Sequence, residues 1–206
     1  MTRRRGRLIA FEGGEACGKS SQAARLADHL GAVLTREPGG TAVGERIRDV
    51  VLDRRAAGLD PRAELLLMAA ARAQHVTEVV EPALAGGQDV VTDRFAGSTV
   101  AYQGYGRGLD LEAVRRVCDF AAGGLWPDLV VLLDVPAGEA RGRRGREGGT
   151  RDRMEDEDAG FHERVAKGFA AQAHADPQRW AVVDGIGSVD EVAARVLRVY
   201  EERLGG

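Results

Sequence analysis

The chain has 206 residues, of which 44% are hydrophobic and 30% charged, and its formal net charge is −3. This length suits one sizeable α/β domain, and we expect a single domain over residues 1–206. The slight negative charge argues against general nucleic-acid binding, which needs a basic excess. The longest aliphatic run, at 129–133, is too short to cross a bilayer, and two cysteines make no disulfide framework. We therefore expect a soluble cytoplasmic protein that binds neither nucleic acid nor membranes.

Apolar runs alternate with helical patterns along the chain, which predicts an α/β fold with a parallel sheet and helices on both faces. The predicted strands lie at about 7–12, 32–35, 88–92, 128–134 and 180–184. The predicted helices cover 19–31, 41–53, 62–85, 97–104, 110–122, 136–145, 157–175 and 188–204. The strand "DLVVLLDV" is apolar on both faces, as a central strand of a parallel sheet must be.

The first strand runs into a glycine-rich loop, "EGGEACGKSS", at 12–21. From Gly13 to Ser20 the loop fits the G-x-x-x-x-G-K-S/T spacing, and it lies between a strand and a helix. Glycines let successive N–H groups turn toward one anion, and the following helix adds its positive end. Lys19 would reach the outer phosphates of a nucleotide, and the Ser20 hydroxyl would hold Mg²⁺. The expected phosphate-binding set is Gly13, Gly14, Glu15, Ala16, Cys17, Gly18, Lys19, Ser20 and Ser21.

The second predicted strand ends in "TREPGGT", residues 35–41. Pro38 followed by two glycines predicts a tight, stiff corner. The corner places Arg36 near the carboxyl ends of the strands, where open α/β sheets bind ligands. Taken alone, however, the segment is better explained as an ordinary turn with an exposed arginine.

The third predicted strand ends in Asp93 and Arg94, at the same edge of the sheet. Asp93 is suited to hold a water on Mg²⁺, and Arg94 to bind a phosphate. Behind them, Thr99, Tyr102 and Gln103 combine small polar groups with an aromatic ring, which suits a flat heterocycle. The alternative is a strand-capping Asp–Arg pair before a glycine-rich loop. We favour ligand binding, because charged loops beside a phosphate site usually carry function.

The segment "RGRRGREGGTRDRMEDED", residues 141–158, is charged, rich in glycine and poor in apolar residues. Its composition predicts a mobile excursion over the surface, and a solvated charged face is the usual explanation of such a run. The phosphate loop contains no arginine, however, although phosphoryl transfer needs cations on the equatorial oxygens. We therefore expect a lid at about 141–155 that closes over the site, supplies an arginine and excludes water.

Together these segments resemble the thymidylate kinase family over nearly the whole chain. The resemblance rests on "FEGGEACGKSSQ", "TREPGGTAVGERIR", "ELLLMAAARAQH", "TDRFAGSTVAYQGYGRGL", "PDLVVLLDV" and "RDRME", which occur in family order. It implies a P-loop nucleoside monophosphate kinase fold with a five-stranded parallel sheet. It also implies that the phosphate loop binds ATP, that dTMP is the acceptor, that Mg²⁺ is the cofactor and that the protein is a homodimer.

The resemblance further implies roles for individual residues. Glu15 stands where the family has a carboxylate near the 3′-hydroxyl of the acceptor, and Tyr102 would crowd the 2′ position. Met68 stands where a phenylalanine usually stacks on thymine, and a thioether is a less specific cover. The implied acceptor site is Glu15, Arg36, Met68, Arg72, Arg94, Thr99, Tyr102 and Gln103. The implied catalytic cations are Lys19, Arg94, Arg143, Arg146 and Arg153, and the implied metal-site residues are Ser20 and Asp93.

Two alternatives stay open. One is a kinase of the same fold that acts on another nucleoside monophosphate, and the other is an ATP-dependent switch. A switch leaves "TREPGG" and "DRFAGSTVAYQG" without a role, and the chain has no asparagine for the Asn–Lys–x–Asp element of guanine-nucleotide switches. Adenine recognition is poorly marked, and only position suggests the segment "DGIGS" at 184–188.

Overall fold

Five strands form one parallel sheet in the order β2-β3-β1-β4-β5. The computed structural model describes residues 4–147 and 152–205. The strands are β1 (Leu8–Glu12), β2 (Val33–Arg36), β3 (Val90–Asp93), β4 (Leu129–Asp134) and β5 (Trp180–Asp184). All of β1 is buried, as is β4 except its last residue, so the continuous apolar runs lie at the centre of the sheet as predicted.

Helices cover both faces of this sheet, as the alternating pattern predicts. They are α1 (Lys19–Leu30), α2 (Ala42–Leu52), α3 (Pro61–His75), α4 (Glu81–Ala85), α5 (Ala96–Thr99), α6 (Leu111–Ala121), α7 (Ala137–Glu147), α8 (Ala159–Ala175) and α9 (Val189–Leu204). Polar side chains cap the first backbone N–H groups of several helices, namely Thr41, Asp60, Asp110, Asp158 and Ser188. Within the described residues, no helix has the length and apolarity needed to cross a bilayer.

The long helix predicted at 62–85 differs from the observed structure in its middle. Helix α3 ends at His75, Val76–Val80 forms a π-helical turn, and α4 follows. Pro82 cannot donate a backbone hydrogen bond, and just before it the N–H of Glu81 bonds the carbonyl of Val76, five residues back. A second π-helical turn, Val100–Gly106, follows α5 in the region predicted as a plain helix at 97–104.

The core is divided by the sheet. On one face, Ile9, Phe11 and Val131 pack with the apolar residues of α1 and α9. On the other, the alternate residues of β1 and β3 pack against α3 and α6, and a further cluster joins β4 to α8. Because all strands are parallel, the segments that follow β1, β2 and β3 meet at one edge of the sheet.

The arginine-rich segment is more ordered and more buried than its composition predicts. Its first part continues α7 to Glu147, and 148–151, which include Arg151, lie outside the described residues. After them the chain returns to the core, where Arg153 and Met154 are only 6% and 4% exposed. The prediction of a surface excursion over 141–158 is therefore wrong at this end. Arg153 can be buried because the carboxylate of Glu64 neutralises it, and composition does not reveal such a pair.

Candidate functional site

The loop after β1 has the backbone of a phosphate cradle. Gly13 has a φ of +144°, and a Cβ there would lie 2.8 Å from the carbonyl oxygen of Leu133. Gly18, with a φ of +93°, precedes α1 and provides no side-chain cap, so the first N–H groups of α1 are available to an anion. The ammonium of Lys19 is buried beside the loop and donates to the carbonyl of Gly14 at 2.6 Å. These features place concentrated positive charge where the sequence predicts phosphates.

Ser20 and Asp93 meet because β1 and β3 are neighbours. The Ser20 hydroxyl donates to Oδ2 of Asp93 at 2.5 Å, while Oδ1 is buried and has no hydrogen-bond partner among the described residues. A hydroxyl beside a carboxylate with a spare oxygen fits Mg²⁺, which binds oxygen ligands and keeps several waters. The described residues contain no group of three or more histidine, cysteine or acidic side chains that could hold a metal. The ion would therefore depend on nucleotide phosphates for its other ligands.

Arg94 links the phosphate loop to the loops on the acceptor side. It has a left-handed backbone, with a φ of +72°. Its Nη1 donates to the carbonyl of Gly13 at 3.1 Å and to Oγ of Ser98 at 2.9 Å. Its Nη2 donates to Oε1 of Glu15 at 2.7 Å and to the hydroxyl of Tyr102 at 3.2 Å. The guanidinium thus connects the two segments that the sequence predicts to bind ligands, namely the glycine-rich loop and the segment that contains Tyr102.

Two carboxyl groups beside Arg94 have opposite pKa shifts. Burial opposes ionisation of Glu15, but the Arg94 guanidinium and the Lys19 ammonium outweigh it and hold the pKa of Glu15 at about 2. Glu12 is almost fully buried and accepts hydrogen bonds from the backbone N–H of Ser98 at 2.9 Å and from its hydroxyl. Burial raises the pKa of Glu12 to about 7, although these hydrogen bonds and Arg94 favour the charged form. Glu12 was not predicted from the sequence. The feature that could have identified it is a charged residue at the end of the apolar run "LIAFE".

A cavity opens beside this cluster at the ends of β1, β2 and β3. Its lining includes every residue of the predicted acceptor site except Arg36: Glu15, Met68, Arg72, Arg94, Thr99, Tyr102 and Gln103. Residues that sequence reasoning missed complete the lining, namely Glu37, Pro38, Arg48, Leu52, Phe95, Ser98, Asp152 and Met154. The cavity is thus charged toward the phosphate loop and carries an amide, a hydroxyl and apolar faces elsewhere, which suits a nucleotide.

Arg72 is held rigidly at the wall of the cavity. It is 2% exposed, and its Nε and Nη2 approach Oε2 of Glu37 at 2.9 and 2.7 Å. Its Nη2 also donates to Oγ1 of Thr99 at 2.9 Å, and the guanidinium lies 5.2 Å from the ring centroid of Phe95. The second carboxylate oxygen of Glu37 lies 3.0 Å from Nδ1 of His75, which is fully buried. Burial opposes the charge of Arg72, but Glu37 outweighs it and raises the pKa of Arg72.

Arg36 and Arg48 add positive charge near the end of the cavity where Arg94 lies. Arg36 extends from β2, is half exposed and pairs with Glu45 at 2.9 Å. Arg48, on α2, donates to the carbonyl of Pro38 at 3.0 Å. Burial lowers the pKa of Arg48, and repulsion by Arg36 and Arg94 lowers it further. Arginine stays charged despite such a shift, so these side chains favour an anion between them.

The two lid arginines with described side chains lie in different places. Arg143, on α7, donates through Nη2 to the carbonyl of Gly185 at 2.9 Å and through Nη1 to that of Cys17 at 3.5 Å. It therefore spans the phosphate loop and the segment after β5. Arg153 instead donates to the carbonyl of Val51 at 2.8 Å and to Oε2 of Glu64 at 2.6 Å.

The structure places Arg153, one of the predicted catalytic cations, in a buried ion pair with Glu64. Its guanidinium is buried and already neutralised, so it anchors the returning chain to α2 and α3. The side chain of Arg146, the other predicted lid arginine, lies outside the described part of the chain, as do those of Arg141 and Arg144.

Strand β1 lies where the strand order of the sheet reverses, so ligands can approach its loop from both sides. A cavity with a cationic end on the β2–β3 side, and an arginine on a helix at the β4–β5 side, make this protein a P-loop nucleoside monophosphate kinase. The family model of thymidylate kinase matches residues 11–196. The chain belongs to the thymidylate kinase family.

Individual relatives agree with this assignment. The thymidylate kinase of Desulfovibrio desulfuricans is 47% identical over 96% of both chains. That of a Synechococcus strain is 50% identical over 96% of this chain and 95% of its own. The crystal structure of thymidylate kinase from Ehrlichia chaffeensis has a TM-score of 0.78 and 31% identity, covering 95% of this chain and 98% of that one.

Proposed function

We propose that this chain transfers the γ-phosphoryl group of ATP to dTMP, which gives dTDP and ADP. The observation that carries this proposal is Arg94, which contacts the phosphate loop at Gly13 and lines the acceptor cavity. An acceptor phosphate at this end of the cavity would face the terminal phosphate of a nucleotide in the loop. Catalysis then needs positioning and charge neutralisation, and no dedicated general base. We infer that one kinase domain of 206 residues does this.

On the donor side, Lys19 and the N–H groups of the loop from Gly13 to Ser21 would bind the phosphates of ATP. Ser20 and Asp93 are suited to hold Mg²⁺, Ser20 directly and Asp93 through a water. When bound, Mg²⁺ neutralises charge on the phosphates. The segment 184–188 would lie near adenine, because Arg143 connects its Gly185 to the phosphate loop.

On the acceptor side, Arg94, Arg48 and Arg36 would bind the monophosphate. The base would lie deeper in the cavity, where Met68 and Phe95 offer apolar cover. Its polar edge would meet Arg72, Thr99 and Gln103. Glu15 would approach the 3′-hydroxyl of the sugar, and Tyr102, fixed by its bond to Glu15, would disfavour a 2′-hydroxyl.

The lid would contribute Arg143 to the transferred phosphoryl group, with Arg146 as the second candidate. Arg143 supports this role because it already contacts the loop at Cys17. Closure of about 141–155 would exclude water, which distinguishes phosphoryl transfer from hydrolysis.

We also infer a homodimer and a cytoplasmic location, where ATP and nucleoside monophosphates are available. Helix α3 packs between α2 and α6, and these helices expose large apolar side chains. Leu66, Val50 and Phe120 are 60%, 50% and 89% exposed. Exposed apolar side chains on three neighbouring helices support association with a second copy.

Steady-state ADP formation with dTMP, dUMP, UMP and dCMP tests the function. We expect the highest kcat/KM for dTMP and no ADP without a monophosphate. Equal use of the four acceptors would favour a broader nucleoside monophosphate kinase. ADP release independent of any monophosphate would favour a switch or an ATPase.

A further inference from the structure

The side-chain amide of Gln103 has one free polar atom. Its Nε2 donates to Oε1 of Glu64 at 2.7 Å, while its own Oε1 is buried without a hydrogen-bond partner among the described residues. Gln103 is 1% exposed and lines the acceptor cavity. A buried carbonyl oxygen without a partner costs stability, so such an atom points to a ligand that donates to it.

The orientation of this amide follows from the chemistry of Glu64. An ionised carboxylate only accepts hydrogen bonds, so it must face the NH₂ group of Gln103 and not the carbonyl oxygen. Glu64 is fully buried and is also bound by Arg107, at 3.1 Å, and by Arg153, at 2.6 Å. Burial opposes ionisation of Glu64, but the hydrogen bonds of Arg107, Gln103 and Arg153 outweigh it and lower its pKa.

We infer that Glu64 is a positioning residue that fixes the carbonyl oxygen of Gln103 toward the base and thereby selects pyrimidines with a hydrogen on N3. This inference rests on the proposed function, because it concerns the base of the acceptor. A 2,4-dioxopyrimidine such as thymine carries an N3–H donor that satisfies the free oxygen. Cytosine carries an unprotonated acceptor at N3, so two acceptors would face each other without water.

Glu64 acts here through another residue and does not touch the base. Its two arginine partners keep it charged, and Arg153 ties the same carboxylate to the end of the lid segment. A neutral side chain at 64 could donate to the carbonyl of Gln103, and the amide could then turn its NH₂ group toward the base. The selectivity of the cavity would thus depend on a charge behind its wall.

The test compares dTMP with 5-methyl-dCMP, which share sugar, phosphate and methyl group but differ along the N3–C4 edge of the base. We expect Glu64→Gln to lower the ratio of kcat/KM for dTMP to that for 5-methyl-dCMP by about tenfold or more. If Glu64 only supported the fold, the Glu64→Gln substitution would lower kcat/KM for dTMP and for 5-methyl-dCMP by the same factor. Arg107→Gln is the matched control, because it removes an arginine from Glu64 but leaves the Gln103 contact. This control should leave the ratio unchanged.

A double-mutant cycle with Gln103→Leu shows whether Glu64 acts through the amide. In the Gln103→Leu background, Glu64→Gln should have no further effect on the ratio. An unchanged ratio in Glu64→Gln, or an equal change in both backgrounds, would overturn the inference. Failure of wild-type enzyme to prefer dTMP over the other acceptors would instead overturn the proposed function.

Should Glu64→Gln fail to fold, nuclear magnetic resonance of wild-type enzyme with ¹⁵N-labelled dTMP tests the hydrogen bond on which the inference depends, namely that from N3–H of the base to Gln103. The N3 imino proton of bound dTMP should appear as a resonance protected from exchange with water. An imino proton that exchanges as fast in the complex as in free dTMP would overturn the inference.

Discussion

At the residue scale, neighbouring side chains determine whether the carboxyl groups of Glu12 and Glu15 are charged. Glu15 and Glu12 stand three positions apart, yet the pKa of one is about 2 and that of the other about 7. The carboxylate of Glu15 is stabilised by the charges of Arg94 and Lys19. Glu12 is buried, and Ser98 offers it only neutral hydrogen-bond donors. The first carboxylate lines the cavity in its charged form, and the second holds the loop that follows β3.

The raised pKa of Glu12 predicts a pH-dependent stability. Between pH 4.5 and about 7 the unfolded chain has released this proton and the folded chain retains it, so stability falls as pH rises. The Glu12→Gln variant lacks this titration. We expect the free energy of unfolding of wild type, relative to Glu12→Gln, to fall by about 2–3 kcal/mol from about pH 5 to pH 8. Urea unfolding at both pH values measures it, and a constant difference would contradict the expectation.

Arg36 is the predicted acceptor residue that lies outside the cavity lining, and it pairs with Glu45 on the surface. If it binds the acceptor phosphate, Arg36→Ala should raise the KM for dTMP by about 10–100-fold, the value of one charged hydrogen bond. The KM for ATP should change far less, because Arg36 does not belong to the proposed ATP site. Initial-rate kinetics with each substrate varied give both constants, with Arg116→Ala on α6 as a surface control. A larger effect on ATP would contradict the assignment.

Residues with a local signature were accessible to sequence reasoning, and residues defined by contacts across the fold were not. Gly13 and Lys19 follow from motif spacing, and Arg94 follows from its place at the end of a strand. Glu37 and Glu64 carry no such signal, since each becomes important only when folding brings a buried arginine to it. The burial of Arg153 was not predicted for the same reason, because its partner Glu64 is 89 residues away.

At the scale of elements, apolar runs located all five strands to within about two residues, because β-strands in the middle of a parallel sheet need such runs. The π-helical turns at Val76–Val80 and Val100–Gly106 were not predicted. Their hydrophobic pattern matches an ordinary helix, and the change in pitch depends on backbone bonding. Both turns follow helices that carry residues of the cavity lining, Arg72 on α3 and Thr99 on α5.

The prediction for the lid concerns Arg143, which lies on helix α7. Arg143 contacts the phosphate loop without lining the acceptor cavity. We expect Arg143→Ala to lower kcat by about 10³-fold or more, with little change in the KM for dTMP, because its charge acts on the transferred group. Single-turnover rates with saturating substrates measure this effect. A loss confined to KM would show that Arg143 only binds substrate.

At the scale of the whole molecule, the strand order puts the phosphate loop between two sites. β1 lies between β3 and β4, so the loops of the proposed acceptor site converge from one side and α7 with the β5 loop from the other. The sequence predicts five parallel strands but not their order in the sheet. Order depends on long-range pairing that local residues do not encode.

The exposed face of α2, α3 and α6 predicts the state of association. Leu66→Glu combined with Phe120→Glu should convert a dimer to monomers in analytical ultracentrifugation, since charge replaces two exposed apolar anchors. Val182→Glu is the control, because Val182 is 57% exposed on β5, an edge strand of the sheet. A monomeric wild type, or a double variant that sediments as wild type does, would contradict the proposed interface.

A crystal structure with both ADP and dTMP bound tests the central claim most directly, namely that two nucleotides meet end to end across Arg94. We expect the ADP phosphates on the loop from Gly13 to Ser20, and the dTMP phosphate on the arginines at the mouth of the cavity. The thymine should lie beside Gln103. If dTMP binds elsewhere, or its phosphate points away from the loop, this account of the enzyme is wrong.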